Sequence, residues 1–394
     1  MPTQVSSSAP IDVDALIVDS ATDFAVDGAV YTDPALFQLE MERVFERTWV
    51  FVAHDSEVAK IGDFKTAYIG LKPVIVSRDK GNKINVLLNR CRHRAAAVCR
   101  ELHGNAKNFS CKYHGWTYGL DGKLIGLTMQ QGGYPAETDK STLGLHKVSR
   151  VDSYRGFIFA SMAVDGPTLK EHLAPVRDLF DYQLDHSPIG RIVAKRGTHR
   201  TRYQGNWKFQ AENSTDGYHG NFVHQSFWQI MGKFGNEGGQ HGNYKEVDLS
   251  KIHARREKGR TAGFKNGHGL LQYPMPEGGL AVDGDGPDAE YMRLMKQSYS
   301  QEQLEKIMPQ YNLWIFPNLG ILLDQIRVIR PISPGETEVT LQFYDLEGVP
   351  NEYNLARFSG SHDPAGADAR DRFGTGAGRD VRFDRARLLH DVRG

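Results

Sequence analysis

Two pairs of residues carry metal chemistry in their types and spacing: Cys91-x-His93 and, after seventeen further residues, Cys111-x-x-His114. Iron–sulfur iron takes thiolate, and putting two histidines in place of two cysteines on one iron raises the potential of a [2Fe–2S] cluster. Such a cluster needs two Cys and two His, one of each per loop, so that each loop gives one ligand to each iron. The rival is structural zinc, which also takes two Cys and two His. Zinc sites usually separate into a Cys-x-x-Cys and a His-x-x-x-His pair; here each pair is mixed, which favours the cluster. Gly115 and Trp116 follow directly: glycine permits a tight turn, and tryptophan can shield a cluster from water. Cys99, the remaining one of only three cysteines, reads as an apolar filler.

A second group lies in residues 205–228, GNWKFQAENSTDGYHGNFVHQSFW. Two histidines and a carboxylate on one face of an iron make the facial triad of non-haem Fe(II) oxygenases. Asp216 and His219, three apart, would share a helix face. His219 and His224 are five apart, so a straight helix would splay them by about 140°. The helix must therefore end or bend between them, and Gly220-Asn221 supplies the stop. The plainer alternative is a helix end with two surface histidines. Phe222, Phe227, Trp228 and Met231 follow and could line an apolar cavity, although ordinary core is the simpler reading.

The elements around these residues fall into two units. The chain has 394 residues, 48 basic and 48 acidic, which suits about two domains with sizeable cores and gives no reason to expect nucleic acid or an acidic membrane as partner. The first residues are polar, with neither a basic n-region nor a long apolar run, so they read as a leader and not a secretory signal. Sparse cysteine fits a reducing cytoplasm. Residues 31–50 carry helical apolar spacing after Thr32-Asp33-Pro34, a capped start with an early proline. Short β-rich runs then alternate with turns at Asp79-Lys80-Gly81 and Asp121-Gly122 up to about residue 165. A helical stretch over 168–185 leads to a second unit with a polar helix near 206–219 and β-rich runs at 311–332 and 337–348; residues 232–285 read as loops. We therefore divide the chain into a polar leader and first helix (1–40), a cluster domain (41–165), a second, iron-binding domain (166–355) and an atypical tail (356–394). That tail is rich in Arg, Asp, Gly and Ala and loses all periodicity.

The stretch NRCRHRAAAVCRELHGNAKNFSCKYHGWTYGLDGKL resembles the Rieske segment of the aromatic ring-hydroxylating oxygenases, large (alpha) subunit. Their usual form is C-x-H-R-G and C-P-Y-H-G-W-x-Y; Ala95 stands where Gly is usual and Lys112 where Pro is usual. Respiratory-type Rieske proteins add a cysteine to each loop, and Arg94 and Tyr113 stand there instead. NWK…EN…DGYH…VH resembles the mononuclear iron motif of the same family. The resemblance covers about residues 30–350. It implies an α+β fold: an all-β Rieske domain plus a catalytic domain with an antiparallel sheet around helices. Cys91, His93, Cys111 and His114 would hold the [2Fe–2S] cluster and His219 and His224 the Fe(II), with Asp216 bridging the two centres between subunits of a trimer. Asn213 would be a near neighbour of the iron and Asp371 the nearest match to the third ligand. The lost similarity past 350 suggests a frame-shifted or strongly divergent tail.

The implied reaction is O2-dependent cis-dihydroxylation of an aromatic ring, with electrons from NADH through a reductase, with or without a ferredoxin. The N-terminal stretch resembles alpha subunits that pair with a small beta subunit, hence α3β3. The form ENSTDGYH points to an aromatic carboxylate. Three alternatives stay open: a Rieske monooxygenase or demethylase, an electron carrier without oxygenase activity, and a zinc-stabilised binding module.

Overall fold

A computed structural model describes residues 11–135, 137–195, 197–226, 249–275, 279–281, 284–322 and 324–362. The first helix, Pro34–Glu40, starts as its sequence dictates: the Asp33 carboxylate accepts the Ala35 and Leu36 amides at 2.7 and 2.9 Å, and proline fills the first helical position. It runs on through a wider turn, Met41–Phe45, and buries Phe37, Met41 and Phe45. Gly70 sits where a Cβ would press on Phe45 and the Met41 sulfur, so the helix packs directly on a β-hairpin.

That hairpin belongs to a four-stranded antiparallel sheet in the order Ile84–Leu88, Lys72–Arg78, Asp63–Ile69, His103–Asn105. The turn at Asp79 closes as expected. Its carboxylate accepts the Gly81 and Lys83 amides, and Asn82 takes φ 62°. A three-stranded sheet, Phe109–Ser110, Thr117–Tyr118 and Leu124–Gly126, completes the all-β unit.

The two units share cores. In the sheet Arg150–Tyr154, Phe157–Ser161, Val50–His54, one face sends Phe51, Phe157 and Phe159 into a cluster with Leu169, Phe180 and Leu313. The other face sends Val50, Ile158 and Ala160 against Phe37, Trp207 and Ile329. Residues 168–185 form two helices, Leu169–Leu173 and Arg177–Leu184, with the 3-10 turn Ala174–Val176 between them at Pro175.

The second unit is built on seven antiparallel strands. Their order is Thr198–Tyr203, Glu336–Phe343, Gln325–Ser333, Leu319–Leu322, Gln310–Ile315, Gly269–Tyr273, Arg260–Gly263. The last two strands and the helix Leu249–Glu257 correct the reading of 232–285 as loops. Runs of four and five residues with glycines at their junction are too short to show a period. The strand Gly269–Tyr273 is nonetheless almost wholly buried. The final described helix, Asn351–His362, runs through Ala356, where the composition changes, and Tyr353 stacks on Tyr291 at 4.1 Å.

Buried histidines make this fold acid-sensitive. Burial lowers His54 and His172 to about 4, and His268 is lowered as well. All three are 4% exposed or less. In the unfolded chain a histidine titrates near 6.5. The unfolded state therefore binds more protons between pH 6.5 and 4. Stability is fully present above 6.5 and drains as pH falls through 4, by roughly 3 kcal/mol for a group shifted this far. Thermal melts at pH 7.5 and 4.5 are expected to show a marked fall in Tm at the lower pH, smaller in His172→Gln. Equal pH slopes in the two proteins would sink this assignment.

Candidate metal centres

The two cysteine–histidine loops have the same backbone design. The Cys91 amide donates to the Ala96 carbonyl at 2.8 Å and the Ala95 amide to the Cys91 carbonyl at 2.9 Å. Cys111 repeats this with Trp116 and Gly115 at 2.8 and 2.9 Å. Each loop thus closes around its own cysteine and points its histidine outward. Both thiols are buried and free, while His93 and His114 are half-exposed. The two Nδ1 atoms converge to 3.1 Å, the disposition needed to share one iron. The His93 ring stacks on Trp116, which is 4% exposed and whose indole N–H donates to Tyr134.

Two buried thiols, two converging imidazoles and a dry wall fit a Rieske cluster. The tip brings together all four residues singled out in the sequence. It also adds Tyr118, whose hydroxyl lies 3.2 Å from Cys91 Sγ and accepts the Arg92 amide. Cys99 stays apart: burial pushes its thiol up to about 11, and Asn89 ties its backbone down.

Both loops place a residue in the left-handed region at matching positions, Ala95 at φ 56° and Gly115 at φ 72°. A Cβ on Gly115 would collide with Thr128 Oγ1, whereas Ala95 is exposed. An L-residue there costs about 1–2 kcal/mol, partly offset by the greater chain entropy of glycine. Ala95→Gly is therefore expected to stabilise the protein by roughly 0.5–1 kcal/mol, read as a higher midpoint in denaturant titration. An unchanged or lower midpoint would show that the loop bears no strain.

The second site departs from the expected helix. Helix Lys208–Thr215 ends one residue before Asp216, whose backbone is extended at ψ 116°. Ser214 and Thr215 return their hydroxyls to the Gln210 and Ala211 carbonyls, which weakens continuation. Asp216 then accepts the Tyr218 amide at 2.6 Å. Asp216 and His219 are therefore paired across a turn and not along a helix face. Gly217 lets this turn approach Leu271. Gly220, expected as a helix stop, instead makes room for Arg256, whose guanidinium a Cβ there would strike.

His219 is held at both nitrogens. Nδ1 meets Asp216 Oδ2 at 2.9 Å and Nε2 meets the Asn213 amide nitrogen at 3.1 Å. A ring that donates from Nδ1 to a carboxylate keeps its Nε2 lone pair for a metal. The His224 ring centroid lies 5.2 Å away. Burial raises Asp216, but the Tyr218 amide and His219 more than reverse this, so it sits below the usual carboxylate range. Here the His219 Nε2 lone pair accepts the Asn213 amide N–H; two neighbouring imidazoles, one with its proton fixed on Nδ1, fit a non-haem iron that takes the place of Asn213 at Nε2. Asp371, Phe227, Trp228 and Met231 lie outside the described residues, and Phe222 is 77% exposed.

A cavity of about 180 Å³ opens between these histidines and the sheet. Its floor is one cross-strand row, Leu271–Asn312–Leu322–Gln325, with Tyr273 and Arg327 two residues along their strands. Residues opposite one another, or two apart on a strand, share a face. Sequence reasoning missed this wall, because strand register sets it and no local motif marks it.

Residues 48–141 match the Rieske [2Fe-2S] domain, and residues 191–372 match the ring hydroxylating alpha subunit (catalytic domain). The chain is 35% identical over 336 residues to the 2-halobenzoate 1,2-dioxygenase large subunit of Burkholderia cepacia, covering 83% of this chain and 70% of that one. The chain belongs to the Rieske ring-hydroxylating oxygenase alpha subunits. These alpha subunits are O2-dependent oxidoreductases, and their cofactors are a [2Fe–2S] cluster and a non-haem Fe(II). Another alpha subunit, that of the N,N-dimethyl phenylurea N-demethylase of Sphingobium sp. (strain YBL2), is 34% identical over 355 residues, covering 84% of this chain and 73% of that one. The solved naphthalene 1,2-dioxygenase with indole in its active site superposes with a TM-score of 0.70 at 26% identity, over 83% of this chain and 73% of that one. The α+β fold expected for a Rieske alpha subunit is thereby borne out. No described helix is long and apolar enough to cross a membrane.

Proposed function

We propose that this chain is the terminal oxygenase of a multicomponent cytoplasmic system that cis-dihydroxylates an aromatic carboxylate. Electrons come from NADH through a reductase, with or without a ferredoxin, and a small beta subunit completes an α3β3 assembly. The observation that carries this reading is the presence, in one chain, of a Cys2His2 cluster tip and the Asp216–His219–His224 group over a cavity. When bound, the cluster relays single electrons and the Fe(II) activates dioxygen.

The protein's own residues supply placement. Cys91, His93, Cys111 and His114 hold the cluster, and His219 and His224 hold the iron. Asp216 keeps the proton on His219 Nδ1 and, in a trimer, faces the histidines of a neighbouring cluster tip. Asn213, whose amide N–H now meets His219 Nε2, would stand beside the iron and release that contact when the metal binds. Asp371 is the proposed third ligand, inside the matched catalytic segment. Resequencing beyond codon 350 tests whether residues 356–394 are in the native frame. An aromatic acid as substrate is supported by the 2-halobenzoate relative.

The N-demethylase relative favours a second reading, monooxygenation on the same scaffold. Turnover of benzoate under 18O2 with an NADH-reductase separates the two. Two labelled atoms in a diol support dihydroxylation; one labelled atom establishes the monooxygenase.

A further inference from the structure

The cavity beside His219 and His224 is too polar for a bare hydrocarbon. Among the described residues, four buried side-chain atoms on its sheet wall make no hydrogen bond: Tyr273 Oη, Asn312 Oδ1, Gln325 Oε1 and Arg327 Nε. Buried polar atoms are nearly always paired, so four orphans on one small wall call for a polar ligand. Arg327 stands out among them. Burial lowers its guanidinium pKa, and among the described residues no carboxylate offsets that effect. By contrast Arg155 and Arg202 are raised, through Asp185 and Glu338. Asp216, the one carboxylate lining this cavity among the described residues, is already committed to His219 and the Tyr218 amide. Gly320 lies directly across from Arg327 on the neighbouring strand, which leaves the side chain room.

We propose that Arg327 anchors the carboxylate of a single-ring aromatic acid, with the ring against Leu271 and Leu322 below His219 and His224. The inference rests on the oxygenase reading above and names the residue that selects its substrate. A guanidinium binds a carboxylate through two parallel N–H donors, which fixes orientation as well as charge. The Asn312 and Gln325 amides flank it and can each turn an N–H to the same anion. Size agrees: a cavity of roughly 150 Å³ takes one benzene, and about 180 Å³ accommodates a single ring.

The test is calorimetric titration of anaerobic holoenzyme with benzoate and with benzamide, its neutral analogue of the same shape. Wild type is expected to bind benzoate at least about tenfold tighter. Arg327→Gln should weaken benzoate roughly ten- to a hundredfold and leave benzamide within about threefold, with Arg327→Lys between. Iron content is measured on each variant. If a variant fails to fold, the wild-type comparison still decides. Equal wild-type affinity for the two ligands, or equal loss of both in Arg327→Gln, overturns the anchor. Should benzoate bind no better than benzamide while a neutral arene is still oxidised, the anchor falls and the oxygenase reading stands. Should benzoate bind as expected while no ring is oxidised, the oxygenase reading falls and the anchor remains.

Discussion

Replacing His219 and His224 together by alanine is expected to give a folded, brown protein that has lost the mononuclear iron alone. Metal analysis should fall from about three irons per chain to about two, because the cluster needs only the separate cysteine–histidine tip. The cluster's absorption and electron paramagnetic resonance should be unchanged, since Cys91 and Cys111, proposed to hold it, sit in a different core from the catalytic sheet. Oxygenation should drop to background, a loss of at least roughly a thousandfold, because deleting two imidazoles leaves a carboxylate-only set too weak and too open for Fe(II). Folding should be nearly unaffected. The two rings lie at the mouth of a cavity, and His224 is exposed. Iron content that stays at three would return the electron-carrier reading to contention.

The cluster tip was legible in the sequence because its four proposed ligands fall within one short stretch and need only two matching turns. The second site was legible in part. Asp216, Asn213 and His219 are close in sequence, so their types carried the signal, but their geometry was misread. A continuous helix was expected where Ser214 and Thr215 end it early. The wall below the histidines was illegible. Leu271, Asn312, Gln325 and Arg327 come from three strands spread over more than fifty residues, and only the register of a seven-stranded sheet puts them on one face. An arginine in a β-strand carries no mark of this kind. Arg330, on the same strand, lies over Tyr68 and pairs with Glu338. Arg327 faces the cavity instead, with no ion pair among the described residues.

Asp216→Asn is expected to separate iron binding from electron delivery. The carboxylate accepts from His219 Nδ1 at 2.9 Å and from the Tyr218 amide at 2.6 Å. Asparagine keeps the size and one acceptor, so the turn should survive. It loses the negative charge that holds the proton on Nδ1, and its amide nitrogen can face the ring and invert the tautomer. With Nε2 protonated, the lone pair for a metal is gone. Partners of this kind are worth roughly 10–100-fold in metal affinity or activity. Iron should therefore bind more weakly yet still load at high Fe(II). Reoxidation of the reduced cluster, followed by stopped flow in the presence of O2 and substrate, should slow by at least that factor even in the loaded variant. Asp216→Glu, which keeps the charge, should recover part of the rate. If Asp216→Asn matches wild type in reoxidation once iron is loaded, then Asp216 only orients His219 and the electron route between subunits lies elsewhere.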